Sequence, residues 1–251
     1  MDSESRASEL VRVLRREGRV DVAESAHAFG VAEMTIRRDL DALVNRGIAR
    51  RVRGGAVSLL LRGDELPYAM REVDAVESKR RVASAVASAV QDGEAVVLDS
   101  GTTAAEVARA LAGRRLSVMA AALRAANILA ADASTRLLQP GGEVRTGELA
   151  AVGPLAISTI SSLRFDTAII CPCGLAGGVL TAHDLDDAAV KQAMIASASR
   201  VIVAADSSKF GHAAMAVVCP LAQADLLVTD VDVTPAVAQE LDAAGVLWER
   251  V

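Results

Sequence analysis

The sequence predicts an α/β protein of two unequal parts. A small N-terminal domain of helices and a hairpin precedes a larger three-layer α/β domain with a mostly parallel sheet. Three observations carry this reading. Up to about residue 58, apolar residues recur with helical period and end in a Gly-Gly hairpin. From Glu94 onward, short β-branched runs alternate with helical stretches, the pattern of a parallel sheet covered by helices. The charge is also split: residues 1 to 63 hold 12 basic and 9 acidic residues (+3), leaving 15 basic and 23 acidic (−8) for the rest of a 251-residue chain of net charge −5. Two domains with different partners follow.

Composition narrows the classes. At 52% hydrophobic, the chain supports packed globular structure throughout. No uninterrupted apolar run approaches the roughly 18 residues of a spanning helix, and residues 1 to 20 are too charged for a signal peptide, so a cytoplasmic location and no membrane partner are expected. Three Cys form no disulfide framework, and Cys171-Pro172-Cys173 lacks the two-residue gap of zinc knuckles; these Cys read as structural. Aromatic residues make up 2% of the chain, which leaves no platform for stacking single-stranded bases and favours duplex DNA among nucleic acids.

The first helix, about Ser3 to Arg16, presents Leu10, Val13 and Leu14 to a small core and ends near Gly18. Val22 to Phe29 reads as a second helix, Gly30 as the tight turn after it, and Val31 to Arg46 as a third. On that third helix Ile36, Leu40, Leu43 and Val44 share one face, while Thr35, Arg38, Ala42 and Asn45 point away from it and Arg37 and Arg46 flank it. Ile48 to Val52 and Ala56 to Leu60 then read as strands joined through Arg53, Gly54 and Gly55, with Arg50, Arg51 and Arg53 around the turn. The bland alternative is a solvated helix face in a protein-binding bundle. Against it, helix-turn-helix spacing, a Gly-Gly wing and local charge coincide: Met34 to Arg62 holds seven Arg against two Asp and no Glu. The DNA-contacting candidates are Thr35, Arg37, Arg38, Asn45, Arg46, Arg51 and Arg53. Arg38 is expected at base edges, and Arg37, Arg51 and Arg53 at phosphates.

Residues 31 to 57, with Thr35-Ile36-Arg37-Arg38-Asp39-Leu40 and Arg53-Gly54-Gly55-Ala56, resemble the DeoR family of bacterial transcriptional regulators. One departure is Ala32, where the family usually has a Ser that caps the recognition helix; losing that acceptor costs about 1 kcal/mol of helix stability.

The expected division is a winged helix-turn-helix domain over 1–58, a linker over 59–74 containing Gly63 and Pro67, and an effector domain over 75–251. The effector domain opens with a helix from about Ala75 to Val90. Ala95–Leu98, Leu116–Ala120, Thr135–Leu138, Ala168–Cys171, Val201–Ala205 and Leu226–Thr229 read as buried strands. Ala104–Leu111, Leu123–Ala131, Ala188–Ala198 and Pro235–Ala243 read as helices. In such a sheet ligands bind at the carboxyl ends of the strands. The loops there are Asp99-Ser100-Gly101-Thr102-Thr103, then Pro140-Gly141-Gly142, then Asp206-Ser207-Ser208-Lys209-Phe210-Gly211.

Asp99 to Thr103 runs from a strand into a helix, where a Gly lets backbone N–H groups converge and the helix N-terminus favours an anion such as phosphate. The competing reading is an ordinary turn in which Thr102 or Thr103 caps the helix. The loop lacks the Gly-Lys-Ser/Thr ending of a Walker A sequence, so nucleotide hydrolysis is not indicated. Residues 75 to 250 resemble the DeoR-family sensor domain, which shares its fold with ribose-5-phosphate isomerase and glucosamine-6-phosphate deaminase. The resemblance implies that Asp99, Ser100, Gly101, Thr102 and Thr103 cradle a sugar phosphate, with Gly141, Gly142, Lys191 and Lys209 lining the same cleft. It departs at Ala120 and Ala121, where the family commonly has Thr-Asn.

Lysine usage is an independent hint. Only Lys79, Lys191 and Lys209 are Lys, against 24 Arg, so a retained Lys suggests a need for a compact point charge. Lys79, near the linker, reads as solvated; Lys191 and Lys209 are the candidates. His183 and Asp184 could be drawn with His212 as a metal site, but no further ligand is spaced with them, and no metal or cofactor is expected. Asp184 and Asp206 join the effector-site candidates. As a competing class, an isomerase or deaminase would need a carboxylate poised to move a proton, with Asp99, Asp184 and Asp206 available. The N-terminal DNA reader makes a binding site without turnover the simpler arrangement. The expectation is a homo-oligomeric (dimer or tetramer) regulator that represses a sugar-catabolism operon and leaves double-stranded operator DNA when a phosphorylated sugar binds.

Overall fold

A computed structural model describes residues 3–59, 66–232 and 234–251. The chain divides into two compact units, residues 1–74 and 75–251.

In the first unit α1 (Ser3–Glu17) leads into β1 (Arg19–Asp21), α2 (Val22–Phe29) and α3 (Glu33–Asn45). The hairpin β2 (Ala49–Val52) and β3 (Gly55–Ser58) follows, and α4 (Tyr68–Val73) closes the unit. Leu10, Leu14, Val20, Ile36, Leu40, Leu43, Ile48 and Ala56 fill one core, as the helical periods of α1 and α3 require. Asp21 caps α2 by accepting from the Ala23 and Glu24 amides, and Gly30 ends it in the left-handed conformation. Ala32 is the N-cap of α3 and, having no side-chain acceptor, makes no capping bond.

Two features go beyond the sequence reading. β1 pairs antiparallel with β3, making a three-stranded sheet in the order β1-β3-β2. In addition α4 lies within the stretch read as linker, and its Met70 is buried in the N-terminal core. At six residues it is too short for periodicity to reveal it. Leu60, the expected end of the second wing strand, and the linker's Gly63 lie outside the described residues.

The second unit is a seven-stranded parallel sheet in the order β15-β14-β12-β9-β4-β5-β6. Its strands are β4 (Ala95–Leu98), β5 (Ser117–Ala120), β6 (Arg136–Leu138), β9 (Phe165–Ile170), β12 (Ala198–Ala204), β14 (Leu226–Thr229) and β15 (Leu247–Arg250). Alternate residues feed two cores. Val96, Leu98, Ile169 and Ile202 pack with α5 (Val76–Ala89), α6 (Thr102–Leu111) and α7 (Leu123–Leu129). Val97, Ala168, Ile170 and Val203 pack with α8 (Gly153–Ser161), α9 (Leu185–Ser197) and α10 (Pro235–Ala244). The sheet is therefore buried on both faces, which is why its strands read as continuous apolar runs.

The sequence reading did not include the hairpin β7 (Glu143–Arg145) and β8 (Ala150–Val152), helix α8, strand β15, or a three-stranded antiparallel sheet. That sheet is β10 (Gly174–Ala176), β11 (Val179–Ala182) and β13 (Ala216–Pro220), in sequential order. Lys79, read as solvated, is 3% exposed on α5. A position on a helix near a presumed linker said nothing about which face the tertiary fold would cover.

The N-terminal unit yields a sharp test at Gly55. A Cβ there would lie 1.9 Å from the Val20 carbonyl oxygen of β1, the antiparallel neighbour in which Asp21 lies opposite Gly55. Gly55→Ala must part β1 from β3 and should destabilise the unit by at least about 2 kcal/mol. Hydrogen exchange checks this: amides of β1 and β3 should lose protection while those of β9 keep it.

Candidate functional site

The N-terminal unit presents a cationic face. On α3, Arg38, Ala42, Asn45 and Arg46 are exposed, Thr35 and Arg37 half-buried, and Ile36, Leu40 and Leu43 buried, so the helix is oriented as its pattern predicts. Behind it, Arg6 of α1 binds the buried Asp39 carboxylate at 2.5 and 3.3 Å, which ties α3 to α1 away from the exposed face. Arg37 pairs with Glu33 one turn earlier at 3.0 Å, and Arg51 of the wing with Asp41 at 3.1 Å. Both are surface pairs of small worth, so either guanidinium can exchange its carboxylate for a phosphate at little cost. Arg53 is exposed at the tip of the wing and Arg50 along β2.

The second site lies at the carboxyl ends of β4, β9 and β12, and it is built on buried charge. Lys191 of α9 is 1% exposed, and its Nζ donates to Asp99 Oδ1 at 2.6 Å and to Asp187 Oδ1 at 3.1 Å. Asp99 also accepts from the Ser100 amide at 2.7 Å and, through Oδ2, from the Cys171 amide at 2.8 Å. The Ser100 hydroxyl reaches Asp187 Oδ1 at 3.4 Å. One ammonium thus fastens the β4–α6 loop, the end of β9 and the start of α9 together. Burial by itself pulls Lys191 down, but the Asp187 and Asp99 carboxylates outweigh it and hold the ammonium protonated. Asp99 is held above the ordinary carboxylate range by burial, with Asp187 adding to the rise and Lys191 opposing it.

The phosphate-loop candidates occupy the start of α6. Gly101 is the N-cap, at φ +98°, with no side-chain capping bond. Thr102 and Thr103 are buried in the first turn of the helix and supply no cap, so the reading of them as capping residues fails. The first N–H groups of α6 therefore keep no intrahelical partner and carry the positive end of the helix dipole.

Asp206 and Lys209 follow β12, in a 3-10 turn spanning Ser207–Lys209. Asp206 is fully buried; its Oδ1 accepts from the amide and hydroxyl of Ser208, while Oδ2 is buried with no hydrogen-bond partner among the described residues. Lys209 is half-exposed. Cys171 follows β9 between these groups: Asp99 accepts from its amide, and Val203 of β12, three residues before Asp206, lies beside Ile170. The Cys171 thiol is pushed far up by burial first and then by Asp99, is pulled back by Lys191 and Lys209, and is raised further by Asp206.

Other candidates sit differently. Asp184 is the N-cap of α9, accepting from the Asp187 amide at 2.9 Å. Gly141 and Gly142 pack against the β8–α8 corner, where a Cβ on Gly142 would come within 2.9 Å of the Val152 carbonyl. That corner adjoins the end of β5, since the Ala151 amide bonds the Ala121 carbonyl. Sequence reasoning missed Asp187, although its i,i+4 spacing to Lys191 on one helix is a legible ion-pair signal. The three Cys are free thiols, and no group of three His, Cys, Asp or Glu among the described residues is arranged to hold a metal. No helix among the described residues is long and apolar enough to cross a membrane.

A winged helix-turn-helix unit joined to a parallel α/β unit with a polar cluster at its strand ends defines a DNA-binding regulator with a sensor domain. Residues 6–60 match the DeoR-like helix-turn-helix domain and residues 74–231 the DeoR C terminal sensor domain. The chain belongs to the DeoR family. It is 34% identical to the HTH-type transcriptional regulator GlpR of Haloferax volcanii, over 87% of this chain and 86% of that one. It is 30% identical to the glycerol-3-phosphate regulon repressor of Escherichia coli, over 96% of each. Among solved structures, ribose 5-phosphate isomerase A of Methanocaldococcus jannaschii matches 53% of each chain at 18% identity and a TM-score of 0.39, too slight a likeness to rest an argument on. The full-length relatives are regulators, and the enzyme alternative is not favoured.

The buried cluster makes its own prediction. Lys191→Met leaves two carboxylates facing each other in the interior and should cost the second unit about 3–5 kcal/mol. Trp248 of β15 is the sole Trp, so its fluorescence during urea unfolding reports on this unit alone.

Proposed function

We propose that this chain is a cytoplasmic repressor of a sugar-catabolism operon. It binds double-stranded operator DNA through α3 and the β2–β3 wing, acts as a homo-oligomer, dimer or tetramer, and is released by a phosphorylated sugar. The regulated operon is inferred from relatives such as the glycerol-3-phosphate regulon repressor. The observation that carries the effector reading is that Asp99 with Lys191, and Asp206 with Lys209, follow the ends of strands β4 and β12 that flank β9, beside the uncapped start of α6.

The charges divide the labour. Lys191 is spent on two carboxylates, so it shapes the Asp99 to Thr103 loop from beneath, and half-exposed Lys209 is the cation available to a ligand. The phosphate suits the first turn of α6 and Lys209, while carboxylates such as Asp206 suit sugar hydroxyls. Gly141 and Gly142 form a neighbouring wall, and Asp184 fixes the start of α9. On the DNA side, Arg38 reads base edges with Thr35 and Asn45 beside it, and Arg37, Arg46, Arg51 and Arg53 hold phosphates.

A thermal-shift screen of sugar phosphates tests the reading, since a ligand of the native state raises stability by RT ln(1 + [L]/Kd). The effector found should lower operator affinity, and operator should lower effector affinity by the same factor. Lys209→Ala should weaken that effector tenfold or more by calorimetry, a charge-assisted contact being worth about 1.5–3 kcal/mol. Lys209→Arg should rescue poorly, because its wider fork places the donors differently. Arg38→Ala should cost about 1–3 kcal/mol of discrimination between operator and random DNA, measured by competition binding.

A further inference from the structure

The DNA-reading face of α3 contains a large apolar residue that polar and charged chemistry does not explain. Met34, in the first turn, is 61% exposed. It lies one turn before Arg38 on the same stripe, which continues through Ala42 and Asn45, all exposed. Its neighbours on the helix are committed elsewhere: Glu33 pairs with Arg37, Ile36 is in the core, and Thr35 is half-buried with its amide bonded to the Ala32 carbonyl. Among the described residues Arg38 is tied to no partner. The stripe thus offers an unbranched apolar side chain and an unpaired guanidinium side by side, at the end of the helix that enters the groove in helix-turn-helix proteins.

The major groove presents one apolar group, the C5-methyl of thymine. A flexible thioether suits it, because Met adapts its three torsions to an irregular apolar surface. Spacing fixes the arrangement. Met34 and Arg38 are about 6 Å apart along the helix axis (four residues at 1.5 Å), and base pairs rise about 3.4 Å, so the two side chains reach pairs one or two steps apart.

We propose that Met34 is a specificity-determining residue that packs on the C5-methyl of a thymine one or two base pairs from a guanine read by Arg38. The inference rests on the assignment of α3 as the DNA reader. It predicts a T·A pair next to, or one removed from, a G·C pair in each recognised half-site. It also predicts that the methyl, rather than the Watson–Crick edge, is what Met34 senses.

The test begins with duplexes selected from a random library by the full-length protein. Each thymine of the selected sequence is then replaced in turn by deoxyuridine, which removes one methyl and leaves the hydrogen-bonding groups unchanged. At one thymine per half-site, within two base pairs of a guanine, the replacement should weaken wild-type binding about fourfold, the worth of one buried methyl. At that thymine Met34→Ala should show no further loss, and Met34→Leu should keep part of the methyl dependence. Ala is the best helix former, so Met34→Ala folds, and its dependence of affinity on salt should match wild type because no phosphate contact is lost. The inference alone is overturned if Met34→Ala pays the same deoxyuridine penalty as wild type at every thymine. It is equally overturned if the selected sequence has no thymine within two base pairs of a guanine whose discrimination Arg38→Ala abolishes. A chain that selects no sequence at all overturns the DNA-reading assignment and this inference with it.

Discussion

The buried Lys191 ammonium is the constraint on which the sensor unit depends. Removing three charged groups from water costs several kcal/mol each, and the interior repays that only where the geometry is good and the remaining lone pairs are satisfied. Here Asp99 uses both oxygens, taking the Ser100 amide and Lys191 on one and the Cys171 amide on the other. Asp187 takes Lys191 and the Ser100 hydroxyl. The partners come from the β4–α6 loop, the end of β9 and the first turns of α9, which are far apart in sequence. An apolar substitute could fill that volume, but it could not fix the loop's backbone direction. The loop shape that frees the start of α6 is therefore specified by a side-chain network lying under it.

Long elements were legible in the sequence because their periods were. The apolar spacing of α3 and the both-faces-buried runs of β4, β9, β12 and β14 follow from packing rules that act residue by residue. What was not legible depends on distant partners. β1, β7, β8 and β10 have three residues each, too few to show alternation, and each is a strand only because another segment pairs with it. Helix α8, Gly153–Ser161, is rich in Ser and β-branched residues and has no polar face to mark a period. Four-residue β15 is exposed along its whole length, so burial left no imprint on it.

The site shows the same division. The alternation of strands and helices pointed to the loops after β4, β6 and β12, because ligands in parallel sheets bind at the carboxyl ends of the strands. Which groups are spent and which stay available required the fold. Lys191 and Lys209 look equivalent as scarce lysines, yet one is 1% exposed between two carboxylates and the other half-exposed on a short turn. Of Asp184 and Asp187, three residues apart, the sequence singled out the first, which caps α9, while the second, which it passed over, anchors the ammonium.

On the proposed reading, specificity in the sensor comes from what is left unmet. Among the described residues Asp206 Oδ2 has no hydrogen-bond partner, and it is buried from water, a costly state for a carboxylate oxygen. On that reading, a ligand that supplies a hydroxyl to Asp206 and an anion to Lys209 meets both needs at once. An anion without the hydroxyl offers half of this, and a neutral polyol the other half. Differential affinity between two states is the sole means by which a ligand shifts an equilibrium. A site requiring both groups at once therefore responds to a phosphorylated sugar far more strongly than to the inorganic phosphate or free sugar that accompany it in a cell.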